Sequence, residues 1–124
     1  MLRLLHVEDS ESDAELIVRQ LRNAGYEVQS KRIQDEEGMR AALEDAVWDV
    51  IICDYRMPEF DAPSALAVLQ ETGLDLPFLV VSGTIGEDVA VAMMKAGAHD
   101  YLMKDKLARL SSLGLKPARY RAKR

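Results

Sequence analysis

The chain has 124 residues, 48% hydrophobic and 30% charged, which is enough for one domain with its own core. No apolar stretch approaches the about 18 residues that a membrane-spanning helix needs, nothing at the start resembles a signal peptide, and the lone Cys53 excludes an internal disulfide, so a cytoplasmic protein with no membrane partner is expected. The net charge of −5 is uneven: residues 1–105 hold all 21 acids against 9 Lys/Arg, whereas residues 106–124 hold 7 Lys/Arg and no acid.

Apolar strand-like runs alternate with helix-period segments along the chain, the pattern of an α/β protein with a parallel sheet covered on both faces. The first strand is Leu2–Val7, and it delivers Glu8 and Asp9 at its end. A helix follows with Ala14, Ile17, Val18 and Leu21 on one face, opened by Ser10 and Asp13 as a capping box and stopped by Gly25. Val28–Ile33 alternates and carries Lys31 and Arg32, as an edge strand should. Asp35 caps a second helix that runs to about Ala46 and is weakened by Gly38.

Val50–Cys53 is the central strand and carries Asp54 at its tip. Asp61 caps a third helix over Ala62–Thr72, with Pro63 tolerated in the first turn and Gly73 as the stop. Phe78–Val81 is another doubly buried strand, and it ends in Ser82-Gly83-Thr84. Glu87–Ala96 is helical up to Gly97, and the short strand Tyr101–Met103 delivers Lys104. A fifth helix begins at Lys106–Leu110 but is opposed by Ser111, Ser112, Gly114 and Pro117, so it is expected to be short or irregular. The domain is therefore drawn at 1–110, with 111–124 as a basic tail or linker. Such a tail can contact nucleic acid or an acidic partner, but the acidic body argues against nucleic-acid binding by the domain itself.

In an open parallel sheet, ligands bind outside the carboxyl ends of the strands. Glu8, Asp9 and Asp54 converge there if their strands are neighbours. Like charges at short range raise one another's pKa, and a hard divalent cation such as Mg²⁺ resolves the conflict with carboxylate and phosphate oxygens. Each rim residue then has a distinct task if Asp54 is a nucleophile that accepts a phosphoryl group. Asp9 and Asp54 bind the cation, and Glu8 holds one of its waters. Lys104 reaches a phosphoryl oxygen, and Ser82 donates to another. The phosphoryl group adds about 1.5–2 negative charges, enough to draw the Ser82 loop inward.

With Val7-Glu8-Asp9, Asp54 followed by Met57-Pro58, Ser82, Tyr101 and Lys104 in this order, the chain resembles the receiver domain of two-component response regulators. The resemblance implies a flavodoxin-like doubly wound sheet of five strands in the order 2-1-3-4-5. It implies that Asp54 is phosphorylated by a histidine kinase or histidine phosphotransfer protein. It also implies Mg²⁺ held by Glu8, Asp9, Asp54 and the backbone carbonyl of Arg56. In the family's switch, the residue matching Ser82 is coupled to the one matching Tyr101, which alters the face of the fourth helix, fifth strand and fifth helix. The protein would then be a signalling switch, an enzyme only in catalysing its own phosphorylation and dephosphorylation.

Three departures stand out, the irregular fifth helix among them. Ala62 follows Asp61 where receivers commonly have glycine, and Asp105 follows Lys104 where the family usually has a cis proline. Arg56 and Thr84 occupy positions that influence phosphoryl lifetime in the family.

Other readings compete at several residues. Tyr101 is either a half-buried core aromatic or a moving switch. His6 is expected to be packed and hydrogen-bonded, and His99 exposed in a turn. The helix around Val89-Ala90-Val91-Ala92-Met93-Met94 is apolar on nearly every side. It either forms a partner surface, with a homodimer as one outcome, or is covered by its own neighbours. The alternatives at the level of function are a receiver cut from a larger regulator or hybrid kinase, a Mg²⁺-dependent aspartyl phosphohydrolase, and a flavin or nucleotide binder. A phosphohydrolase of the haloacid-dehalogenase type places a general acid two residues beyond its nucleophile. Arg56 stands there and cannot give up a proton at neutral pH. A nucleotide site wants glycines or hydroxyls after the first strand, where Glu8-Asp9-Ser10-Glu11 would repel phosphate.

Overall fold

Side chains along a strand point alternately to opposite faces, and the apolar runs of this chain are buried on both. The computed structural model describes residues 1–83, 86–104 and 106. Its elements alternate as β1 (Leu2–Val7), α1 (Glu11–Asn23), β2 (Val28–Ile33), α2 (Glu36–Asp45), β3 (Val50–Asp54), α3 (Ala62–Thr72), β4 (Phe78–Ser82), α4 (Glu87–Ala96) and β5 (Asp100–Met103). The strands form one sheet in the order β2-β1-β3-β4-β5, with every neighbouring pair parallel. This is the flavodoxin-like order. The expected fifth helix from Lys106, the boundary at 110, the basic segment 111–124, Thr84 and Asp105 all lie outside the described residues, Lys106 itself excepted.

Two cores flank the sheet. Leu5, Val7, Ile51, Cys53, Phe78 and Val80 face α2, α3 and α4, where they meet Met39, Leu43, Leu66, Leu69 and Met93. Leu4, Val50, Ile52, Leu79 and Val81 face the other way, against Ile17, Val18 and Leu21 of α1. The central strand β3 is buried along its whole length, whereas edge strand β2 exposes Gln29 to Arg32.

The helix starts follow their capping residues. Ser10 Oγ accepts from the Asp13 N–H at 3.3 Å, Asp35 Oδ1 from Gly38 at 2.7 Å, and Asp61 Oδ1 from Ser64 at 2.9 Å. Gly38 has a positive use: a Cβ there would lie 2.9 Å from Asp35 Oδ1, so the small residue makes room for the cap. The capping box at α1 is only half made. The Ser10 N–H is met by Glu8 Oε2 at 3.3 Å, not by the Asp13 carboxylate.

Gly73 closes α3 at φ 74°, in the left-handed region. A Cβ there would meet nothing within 4 Å, so Gly73→Ala tests backbone strain alone. It should destabilise the fold by about 1–2 kcal/mol, read by chemical denaturation. An unchanged midpoint would remove the strain argument.

Candidate functional site

Register brings the acids together. Val7 lies opposite Cys53 across the β1–β3 pair, so Glu8, just past β1, and Asp54, the last residue of β3, come to the same edge of the sheet. Glu8, Asp9 and Asp54 each offer an oxygen, and the three oxygens lie within 4.8 Å of one another. Their surroundings differ sharply. Glu8 is 1% exposed and Asp54 8%, whereas Asp9 faces solvent. Beside Asp9 opens a cleft of about 220 Å³ lined also by Gln34, Asp35, Met57, Pro58 and Glu59.

Burial first and the Asp54 charge second push Glu8 up to about 7, against the pull of Lys104. Asp54 is also raised, by burial first, while Lys104 holds it down. This is the conflict expected of clustered carboxylates. An all-oxygen donor set that is reluctant to ionise in full suits a hard divalent cation.

Lys104 follows β5 and reaches across the rim. Its Nζ lies 3.6 Å from Asp54 Oδ1, 3.4 Å from Glu8 Oε1 and 2.7 Å from Asp13 Oδ2. These carboxylates keep the ammonium protonated, with Asp13 the strongest of them, against the cost of burial. Asp13 is the site residue that sequence reasoning missed. Its position three residues after Ser10 marks a helix start, and nothing local marks it as a partner of Lys104, 91 residues away.

Ser82 is buried at the end of β4, opposite Met103 of β5. Tyr101 is half-buried and packs against the core shared with Tyr55. Burial pushes its phenol up to about 12, with the Ser82 hydroxyl acting in the opposite direction, so the two side chains are near neighbours. Arg56 lies in the loop after β3 with its side chain exposed. Ala62, in the place of the usual glycine, is buried at the start of α3.

Two expectations about histidine meet different outcomes. His99 is exposed as expected, and its Nδ1 accepts from the Phe78 N–H at 3.0 Å. His6 was expected to be hydrogen-bonded, but neither ring nitrogen has a partner among the described residues. Its side chain is buried within the apolar sheet, where burial, Lys104 and Arg32 lower its pKa to about 4, so it stays neutral.

Residues 4–113 match the family model of the response regulator receiver domain. The chain belongs to that family. As a receiver it is 35% identical over 102 residues to the transcriptional regulatory protein PrrA of Mycobacterium tuberculosis, covering 82% of this chain and 43% of that protein. It is 31% identical over 101 residues to the transcriptional regulatory protein ZraR of Salmonella typhimurium, covering 82% of this chain and 22% of that one. The receiver thus spans less than half the length of these curated relatives. Among solved structures it resembles the Mn²⁺-bound form of response regulator Rcp1, with a TM-score of 0.78, 21% identity, and coverage of 98% and 100% of the two chains. It also resembles the receiver domain of NarL from Mycobacterium tuberculosis, with a TM-score of 0.73, 23% identity, and coverage of 88% and 91%. These two structural likenesses bear on the fold alone. No helix among the described residues is long and apolar enough to cross a membrane.

Proposed function

We propose that this receiver is a phosphorylation-controlled switch in which Asp54 accepts a phosphoryl group from a histidine kinase or histidine phosphotransfer protein. The observation that carries the reading is the meeting of Asp54 with two further carboxylates and one ammonium at a single rim. An Asp54 oxygen attacks phosphorus, a P–O bond forms, and the P–N bond to the donor imidazole breaks. The leaving nitrogen keeps the electron pair and takes up a proton. Glu8, Asp9, Asp54 and the backbone carbonyl of Arg56 would hold Mg²⁺. Bound there, the ion offsets repulsion between Asp54 and the incoming group. Lys104 and Ser82 supply donors to the phosphoryl oxygens, since transfer of this kind depends on positioning and charge neutralisation. Movement of Ser82 toward those oxygens is passed to its neighbour Tyr101, and so to the face of α4 and β5.

The expected result with acetyl phosphate is uptake of one phosphoryl group per chain, abolished by a chelator. Equal uptake with the chelator present contradicts the reading. The titration of Glu8 adds a second test. Below about 7 Glu8 carries a proton that a cation must displace, so Mg²⁺ affinity should rise with pH, by up to roughly tenfold per unit. Glu8→Gln should flatten that dependence. Affinity independent of pH in the unaltered chain would sink the idea.

A second reading, a receiver within a longer regulator, is favoured by the 43% and 22% of the relatives' lengths that the chain covers. On α4, Val91 and Met94 are exposed while Met93 is buried. A homodimer through that surface is part of the proposal. A monomer in sedimentation both with and without beryllofluoride counts against it.

A further inference from the structure

The shortest contact of Lys104 is not with the proposed phosphoacceptor. Its Nζ lies 2.7 Å from Asp13 Oδ2, within the range of a charge-assisted hydrogen bond. The 3.6 Å to Asp54 Oδ1 is too long for a hydrogen bond. An ammonium has three donors and no acceptor, and here three carboxylates surround it. Two of its donors are engaged, by Asp13 and Glu8, so a phosphoryl oxygen arriving at Asp54 competes with both for the position of the one ammonium.

Asp13 stands where it does because of how α1 begins. Ser10 Oγ holds the Asp13 backbone N–H at 3.3 Å. In a completed capping box, the Asp13 carboxylate would turn back to the Ser10 N–H. Glu8 Oε2 already occupies that donor at 3.3 Å. The Asp13 carboxylate is thus released from capping and points to Lys104 instead. The pair is accessible, with 42% of the Asp13 side chain and 24% of the Lys104 side chain exposed. Pairs so placed are weak, so this one holds Lys104 without locking it. A phosphoryl group with about 1.5–2 negative charges is the stronger attractor.

We propose that Asp13 is a positioning residue that holds Lys104 back from Asp54 in the resting site and competes with the phosphoryl oxygens for its ammonium. The proposal rests on the phosphoacceptor reading above. In this role Asp13 sets the threshold of the switch: it slows uptake at Asp54 and weakens the phosphorylated state by occupying the cation that both require.

The test compares the rate of phosphoryl uptake from acetyl phosphate at saturating Mg²⁺, and the affinity for beryllofluoride, across four variants and the unaltered chain. Asp13→Asn keeps the backbone contact to Ser10 and should raise both quantities by about two- to fivefold, the scale of an exposed ion pair. Glu11→Gln removes the same charge from the same helical turn without touching Lys104, and should leave both unchanged. In a Lys104→Ala background, Asp13→Asn should have no further effect, because interacting residues are non-additive. A purely structural role for Asp13 would not depend on Lys104. The proposal is overturned by no gain in Asp13→Asn, by an equal gain in Glu11→Gln, or by a gain that persists without Lys104. In each of those cases uptake by the unaltered chain leaves the phosphoacceptor reading standing. No uptake by the unaltered chain, with the cation bound, overturns both.

Discussion

Asp54→Asn is expected to abolish phosphoryl uptake while leaving the fold intact. The amide matches the carboxylate in shape, so the end of β3 keeps its packing, but its oxygen is a poor nucleophile. Removing the charge should help the resting fold. Asp54 is 8% exposed, and burial together with Asp9 already opposes its ionisation. It also raises Glu8 toward 7. The variant should therefore melt at the same temperature as the unaltered chain or higher, and Glu8 should ionise more readily. Intact mass after incubation with acetyl phosphate and Mg²⁺ reads the first effect, and a thermal melt reads the second. Persistent labelling would show that the nucleophile is another residue. Loss of the fold would leave the labelling result without meaning, and Asp54→Ala would then have to replace it.

Lys104→Ala should slow uptake by about 10²-fold, the typical loss when a fixed donor to developing charge is removed. Among the described residues, Lys104 is the cation paired with Asp54. Without it, burial is left to act on Glu8 and Asp54 unopposed by the charge that lowers both. The variant should still accept some phosphoryl group, since the acids remain. Its conformational response should be lost, because no cation draws β5 toward the rim. Amide shift changes on adding beryllofluoride would report this at Ser82 and Tyr101. The same shift pattern in the variant as in the unaltered chain would remove Lys104 from the relay.

Much of this site was legible in the residues because its parts are local. The apolar runs ending at Val7 and Cys53 mark strands, and the acids that follow them have nowhere to go but the carboxyl edge of the sheet. Ser10, Asp35 and Asp61 each precede a helical pattern and cap it. Asp13 was opaque for the opposite reason. Its partner comes from the other end of the chain, and Glu8 displaces it from the local bond that its spacing suggests. Glu8 and Asp9 are adjacent and equally acidic in sequence, yet only the first is buried. Among the described residues the expected hydrogen-bond partner of His6 is missing. A buried imidazole needs a partner from another element, and none of the described elements packed against it supplies one. The fifth helix, where Ser111, Ser112, Gly114 and Pro117 oppose a regular pattern, lies beyond the described residues, as do most of the basic residues near the C-terminus.

The central claim is that Asp54 carries the phosphoryl group. The most direct measurement is to label the unaltered chain with acetyl phosphate and Mg²⁺, reduce the acyl phosphate with borohydride, and locate the reduced residue by peptide mass spectrometry. Reduction confined to Asp54, and absent when a chelator is present during labelling, is the predicted result. Reduction at Glu8, Asp9 or any other carboxylate, or at Asp54 irrespective of the cation, would contradict it.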